Sequence, residues 1–517
     1  MGATAIAWMR KFRINHGLTP MNTDKPSAAK PQPNRAKRLE CAAFRRCALA
    51  WSKDVSDGRN ESAGMRRTPN ASRHRQAHKV ALYSSAVLPF LLFFLWSAAS
   101  PASAATLLLT GATVHTVSGE TFSPGQVLIK DGKIAAVGKT VSSNGADTVD
   151  LTGKHLYPAM IALNTVLGLT EISGVRATQD TTEVGDYTPD VESWIAANPD
   201  SELIPVTRAN GIAYFEPVPE GGIVAGQSGL VAVDGWTTEQ RTIRKPLFLH
   251  LFWPGMELDT TPKERAKANP KFKSIEEQAK ERRAGLRAME DFFEEAKAYA
   301  KAKDATAKGK ASSPDRIPAW EAMLPYVRGD LPIMVHADEI RQINAAINWA
   351  VTNHYKIILA GGRDAAMAAE LLASNHVPVI YAHTFTQPVR DTEPYDVHFS
   401  APEVLRKAGV QVAFSIGSDS FNAALVKNLP YSAAQSVAFG LPEAEAVKGL
   451  TLYPAQFAGV ADRLGSLEVG KEATLFVADG GILDIRAHVL RMWLAGKEIS
   501  LENRHTRLYE KYKNRPK

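Results

Sequence analysis

Two segments with the same β-type pattern stand at opposite ends of the chain, and this constrains the fold more than any other feature. "LLLTGATVHTVSG" (107–119) alternates apolar and polar residues as a half-buried strand does. "GQVLIKDGKIAAVG" (125–138) carries Asp131-Gly132 between two apolar runs, which is a tight-hairpin signal. The far end repeats the pattern in "GSLEVGKEATLFVADG" (465–480) and "VLRMWLAGKEIS" (489–500). Segments so placed, at opposite ends of a chain, can complete one sheet.

What lies between has a strand–helix rhythm. "GIAYFEPVP" (211–219) and "GIVAGQSGLVAVDG" (222–235) read as strands. "LPIMVHAD" (331–338), "YKIILAGG" (355–362), "VPVIYAHTF" (377–385) and "VQVAFSIGSDS" (410–420) follow, separated by helical stretches through Ala350, to Asn375 and near 402–408. Repeated units of this length predict an α/β architecture, a parallel α/β barrel over 159–460. The small β unit takes 105–158 with 461–500, and 501–517 is a tail. One region departs from the rhythm. Ser274 and Glu277 form a capping box. Ile275, Ala279, Leu286, Met289, Phe293, Ala296 and Ala300 then share one helical face. A long helix over 274–305, inside an insertion of about 256–318, is expected as a solvated amphipathic element.

The chain is basic overall, with 61 Lys+Arg against 54 Asp+Glu, but the excess is local. Residues 1–104 hold 17 basic and 5 acidic side chains, leaving 44 against 49 for the rest. The body is therefore mildly acidic and carries no electrostatic footprint for nucleic acid. The N-terminal part reads as an address. "SRHRQAHK" (72–79) is followed by the uncharged "VALYSSAVLPFLLFFLW" (80–96), then by small residues in which Ala102-Ser103-Ala104 fits an A-x-A cleavage site. That order is that of a secretory signal peptide over 65–104. It implies export, to a periplasm in a Gram-negative cell, after cleavage near Ala104. An uncleaved membrane anchor is the alternative. Residues 1–64 are expected to be an over-called start before Met65, or a disordered basic extension. Both cysteines, Cys41 and Cys47, fall there, so the body has no disulfide framework, thiolate metal site or cysteine nucleophile.

"LLLTGATVHTVSGE…GQVLIKDGKIAAVG", "LYPAMIAL" and, most specifically, "LTLYPAQFAGVADRLGSLEVGKEATLFVADG" resemble the amidohydrolase superfamily, in its imidazolonepropionase-like branch, over roughly 107–500. The resemblance implies a (β/α)8 TIM-like barrel plus a small β-sandwich domain formed by both chain ends, and a hydrolase acting on C–N bonds of a small-molecule substrate. It also implies one or two divalent ions, zinc or another metal, at the C-terminal ends of the barrel strands, and homodimers are common among relatives. Such an ion lowers the pKa of bound water and polarises a carbonyl.

In the family the first strand ends in H-x-H, whose imidazoles reach one ion because residues two apart share a strand face. Here Asn164 and Val166 occupy those positions. The sixth-strand histidine is replaced by Gly361. His336 matches the fifth-strand histidine and Asp419 the eighth-strand aspartate. The resemblance makes Asp419 the proton-transfer base and His336 a ligand or electrophilic donor, with both as candidate metal ligands. Glu171, Asp180 and Glu183 in the loop after the first strand, Asp338 two residues after His336, and His383 are candidate replacements or substrate contacts. "AGQSGL" (225–230) lacks the G-x-S-x-G spacing of a nucleophile elbow, so its glycines are expected to serve turns. "PLFLHLFWPGM" (246–256) is either a substrate-side wall or core packing. Two readings stay open: a hydrolase with an atypical or reduced metal site, and an inactive relative that keeps the cavity to bind a small molecule, peptide or partner protein.

Overall fold

The computed structural model describes residues 106–142, 145–266, 272–310 and 312–516. The expected extension, signal segment and cleavage site, and both cysteines, lie outside the described residues. Strands β1 (Thr106–Val114), β2 (Phe122–Lys130), β3 (Lys133–Gly138), β4 (Asp147–Asp150) and β5 (His155–Pro158) open the described chain. Ten more follow: β6 (Met160–Thr165), β7 (Ile212–Pro217), β8 (Val224–Gln227), β9 (Leu230–Ala232), β10 (Thr242–Arg244), β11 (Leu249–Phe252), β12 (Ile333–Ala337), β13 (Ile357–Gly361), β14 (Val379–Tyr381) and β15 (Val412–Phe414). β16 (Leu475–Ala478), β17 (Val489–Leu494) and β18 (Lys497–Ile499) close it.

The two ends meet in one eight-stranded sheet, ordered β18-β17-β16-β5-β1-β2-β3, with β4 also paired to β1. The joint is β5 against β16, antiparallel, with Tyr157 opposite Phe476. Asp131 and Gly132 turn β2 into β3, both at positive φ (53° and 76°), as a two-residue hairpin of this type requires. A side chain at 132 would run into the Ala495 carbonyl, so glycine serves both the turn and the close approach. The sheet has its own core, in which Leu109, Val127, Ile129, Leu475, Val477 and Trp493 are buried.

The middle of the chain supplies two further sheets, β10-β9-β7-β6 and β15-β14-β13-β12-β11-β8. β6 and β7 are parallel, and β11 to β15 are all parallel in chain order. The uniformly parallel set expected from the sequence is broken at one place. The segment 224–232 splits into β8 and β9, which run antiparallel to β11 and to β7. The reason is loop length. Only residues 218–223 separate β7 from β8, too few for the crossover helix that a parallel return needs. Between β15 and β6 the structure places a side-chain bridge, Ser415 Oγ donating to the Asn164 carbonyl at 2.9 Å.

Alternation along the strands sorts their faces. In β12, Ile333, Val335 and Ala337 pack outward against helices, while Met334 joins the inner core and His336 faces the cavity. In β11, Leu249 and Leu251 go outward, which turns His250 and Phe252 inward. The insertion holds a helix over Ile275–Ala307, capped by Ser274 and Glu277 as the sequence predicts. Its buried face is Met289, Phe293, Ala296, Tyr299 and Ala300. Ile275, expected on that face, is 48% exposed; the N-terminal turns are held by polar contacts instead, with Gln278 Nε2 donating to the Asp259 carbonyl and Arg282 to the Met256 carbonyl. No helix among the described residues is long and apolar enough to cross a membrane.

Candidate functional site

A cavity of about 590 Å³ opens at the C-terminal ends of these strands. Asn164, Phe252, Trp253, His336, Asp338, Gly361, His383, Thr384 and Asp419 are among its lining residues. Of the sequence candidates, the fold thus brings together Asn164, His336, Asp338, Gly361, His383 and Asp419. It leaves out Val166, Glu171, Asp180 and Glu183.

The H-x-H positions do not act as a pair. Asn164 has φ +57°, outside the extended range in which residues two apart share a face. Asn164 therefore faces the cavity, while Val166 is buried elsewhere, against Leu169 and Ala423. Glu171 accepts hydrogen bonds from Ser201 Oγ (2.5 Å) and the Glu202 amide (3.1 Å), away from the cavity. Asp180 and Glu183 line a separate groove with Asp190 and Glu192.

Gly361 is at φ +88°, and a Cβ added there would collide with Asp338 Oδ1. That oxygen is held in place, accepting from His383 Nε2 at 2.7 Å and from the Arg363 amide at 3.3 Å. Burial alone would raise the Asp338 pKa. The hydrogen bond and charge of His383, with Arg363, outweigh it and hold the carboxyl below its ordinary value. His383 Nδ1 is paired with Thr386 Oγ1 at 3.0 Å, so both of its ring nitrogens are engaged within the protein. Asp419 is exposed and caps the 3-10 helix Ser420–Asn428, accepting from the Phe421 amide at 2.8 Å.

His336 belongs to a network that the sequence reading missed. Its Nε2 lies 2.9 Å from His250 Nδ1, and its ring stacks on Phe252 at 4.1 Å. His250 Nε2 lies 3.1 Å from Glu216 Oε1, though out of hydrogen-bonding alignment. Glu216 is fully buried and is held by Ser228 Oγ on Oε1 (2.6 Å) and by the Asn164 amide on Oε2 (2.9 Å). A carboxylate facing His250 Nε2 favours the proton on that nitrogen. Nδ1 is then an acceptor for His336 Nε2–H, and His336 Nδ1 keeps its lone pair. Burial, then His250, lowers the His336 pKa well below the ordinary value, against the pull of Asp338, so the ring is neutral at pH 7. The signal was present in the sequence: one glutamate within "GIAYFEPVP" and one histidine within "PLFLHLFW", polar groups inside strands otherwise fit for burial. Phe252 and Trp253 from the same stretch do form a cavity wall.

The donor set does not suit the divalent metal that the resemblance implies. Asn164 offers an amide oxygen, Val166 and Gly361 offer nothing, both His383 nitrogens are committed to protein partners, and His336 keeps a lone pair on Nδ1 alone. No three His, Cys, Asp or Glu side chains among the described residues converge on a point where an ion would sit. Three residues that border the cavity, Asn164, Trp253 and Thr384, each bury a polar atom (Oδ1, Nε1 and Oγ1) that has no hydrogen-bond partner among the described residues. Buried groups of this kind ordinarily have one.

Comparison with known proteins agrees with this architecture. The amidohydrolase family model matches residues 245–501, about half of the chain. The imidazolonepropionase of Brucella suis (strain ATCC 23445 / NCTC 10510) is 27% identical over 184 residues, 35% of this chain and 42% of that protein. The imidazolonepropionase of Mesorhizobium japonicum is 28% identical over 188 residues, 36% of this chain and 43% of that protein. The chain thus matches less than half the length of these curated relatives. The crystal structure of an amidohydrolase from Thermotoga maritima MSB8 superposes with a TM-score of 0.66 at 25% identity, covering 76% of this chain and 99% of that one. With both chain ends joined in one sheet, an α/β body between them and a cavity at its strand ends, the chain belongs to the amidohydrolase superfamily.

Proposed function

We propose that this chain is an exported amidohydrolase-fold protein that binds a small polar molecule in its cavity and does not carry out metal-dependent hydrolysis there. One observation carries the reading: at each position where the family would place a metal histidine and this chain has none, the local structure is committed to something else. Asn164 has left the extended conformation, Val166 is core, and the space over Gly361 belongs to the Asp338–His383 pair. The polar lining of the cavity, where Ser418, Asp419, Asn422 and Asn428 stand with His336, favours a ligand carrying both a donor and an acceptor, such as an amide. The body's acidic balance argues against nucleic acid as a partner. Export rests on the signal-like segment 65–104.

The test is elemental analysis of the purified protein together with thermal shifts and turnover assays on a panel of cyclic amides and dipeptides. The expected result is a folded protein without stoichiometric zinc, stabilised saturably by a panel member that it does not consume. A ligand at a hundred times its Kd adds about 2.7 kcal/mol. Stoichiometric zinc with chelator-sensitive turnover would overturn the reading.

The Glu216–His250–His336 network favours a second reading, a C–N hydrolase without metal in which His336 Nδ1 accepts a proton from water. Metal-free turnover that disappears in His336→Gln would favour it over binding alone.

A further inference from the structure

We infer that the C-terminal helix Arg504–Lys513 is a docking surface for an anionic phospholipid bilayer. This goes beyond the cavity and does not rest on what the cavity binds.

The helix is firmly started but unpartnered. Asn503 is buried and caps it, accepting from the amides of His505 (2.9 Å) and Thr506 (3.2 Å). Beyond that cap no residue of the helix is buried. One edge is tied to the body, where Arg507 NH2 lies 2.9 Å from both carboxylate oxygens of Glu202. At 3.6 residues per turn, Leu508, Tyr512, His505 and Tyr509 fall together on the side away from that edge. Tyr509 and Tyr512 are 63% and 60% exposed, and Leu508 is exposed beside them. Cations flank this strip on both sides. Arg504 and Lys511 border it at one margin and Lys513 at the other. The Lys511 ammonium lies 5.6 Å from the Tyr512 ring centre, and that of Lys513 lies 5.3 Å from Tyr509.

Charge complementarity selects the occupant. Residues 504–517 hold six Lys/Arg and one acid, whereas residues 105–503 hold 38 basic against 48 acidic side chains. A basic patch on an acidic body is drawn to an anionic surface while the body is repelled from it, which leaves the helix as the contact. Tyrosines and a leucine bounded by Lys and Arg suit the headgroup layer, where rings sit at the boundary and cations reach phosphate. A nucleic acid would use the cations and leave the apolar strip uncovered.

The experiment is hydrogen–deuterium exchange of the full chain with vesicles of phosphatidylglycerol and phosphatidylcholine, followed on peptides covering 504–513. Because the readout is local to the helix, membrane contact by the N-terminal apolar run does not register in it. Protection is expected with the anionic vesicles and not with phosphatidylcholine alone. It should fade between about 0.1 M and about 1 M salt, as the Debye length falls from about 10 Å to about 3 Å. The R504E/K511E/K513E variant should need on the order of a hundredfold more lipid for the same protection. Tyr509→Ser with Tyr512→Ser should weaken it in turn, with thermal stability unchanged in both variants because the altered side chains are exposed. Unchanged exchange on adding anionic vesicles, equal protection by neutral vesicles, or protection indifferent to the tyrosines and matched by duplex DNA would each overturn the inference.

Discussion

Asp338 Oδ1 occupies the space that a Cβ on residue 361 would need. The oxygen is fixed there by His383 and the Arg363 amide, so absence of a side chain at 361 and presence of the Asp338–His383 pair are one structural fact. Gly361→Ala is therefore expected to cost about 1–3 kcal/mol, from backbone strain at φ +88° and displacement of the aspartate. Urea denaturation measures it. The triple change N164H/V166H/G361H, which restores the family histidines on paper, should lose stability and gain no stoichiometric zinc by elemental analysis. A zinc-loaded triple variant would show that the backbone readily returns to the family geometry.

Glu216 accepts from two buried donors, Ser228 Oγ and the Asn164 amide, so its removal orphans both. Glu216→Ala is expected to destabilise by more than about 3 kcal/mol. His250→Leu, which removes one partner from each neighbour, should cost about 1–3 kcal/mol. Equal and small losses in both variants, read from denaturant midpoints, would mean that the network does not hold the strands together.

Glu220 sits between the loop of Thr181 and the Ser418–Asp419 edge of the cavity. Burial raises its pKa to about 7, against hydrogen bonds with Ser418 and Thr181, and Asp419 pushes it further up. A raised pKa means that the folded state binds the proton more tightly than the unfolded chain. This contribution is fully present below about 4.5 and is lost as pH rises through about 7. Wild type should lose on the order of 2–3 kcal/mol across that window relative to Glu220→Gln, whose side chain never ionises. Melting temperature against pH for the two proteins checks it, and parallel curves would count against the assignment.

Asp419 carries the N-cap of the helix that follows it. Asn caps about as well as Asp, so Asp419→Asn should leave the melting temperature close to wild type, while Asp419→Ala should cost about 1 kcal/mol. If the carboxylate instead served as the proton-transfer base, the Asn variant would keep stability and lose any turnover found.

The insertion helix separates two kinds of position. Phe293 is buried against Trp349 and Tyr355, and Phe293→Ala should cost about 3–5 kcal/mol. Ile275 is exposed, and Ile275→Ser should change stability by less than about 0.5 kcal/mol. Thermal or urea unfolding of the pair distinguishes a docked helix from a wholly solvated one.

The sequence by itself determined what depends on neighbours along the chain: the Asp131-Gly132 hairpin, the Ser274–Glu277 cap, and the strand and helix stretches that mark the superfamily. It also determined that Val166 and Gly361 bring no metal donor, since that is a matter of side-chain chemistry alone. Tertiary structure decided what depends on register and direction. The reversal of 224–232, the turn of Asn164 out of the strand conformation, and the meeting of Glu216, His250 and His336 from three different strands all arise that way. A local pattern reports which face a residue takes within its own strand. Which residues share a space is set by how separate strands are aligned, and that alignment is an energy of the whole fold.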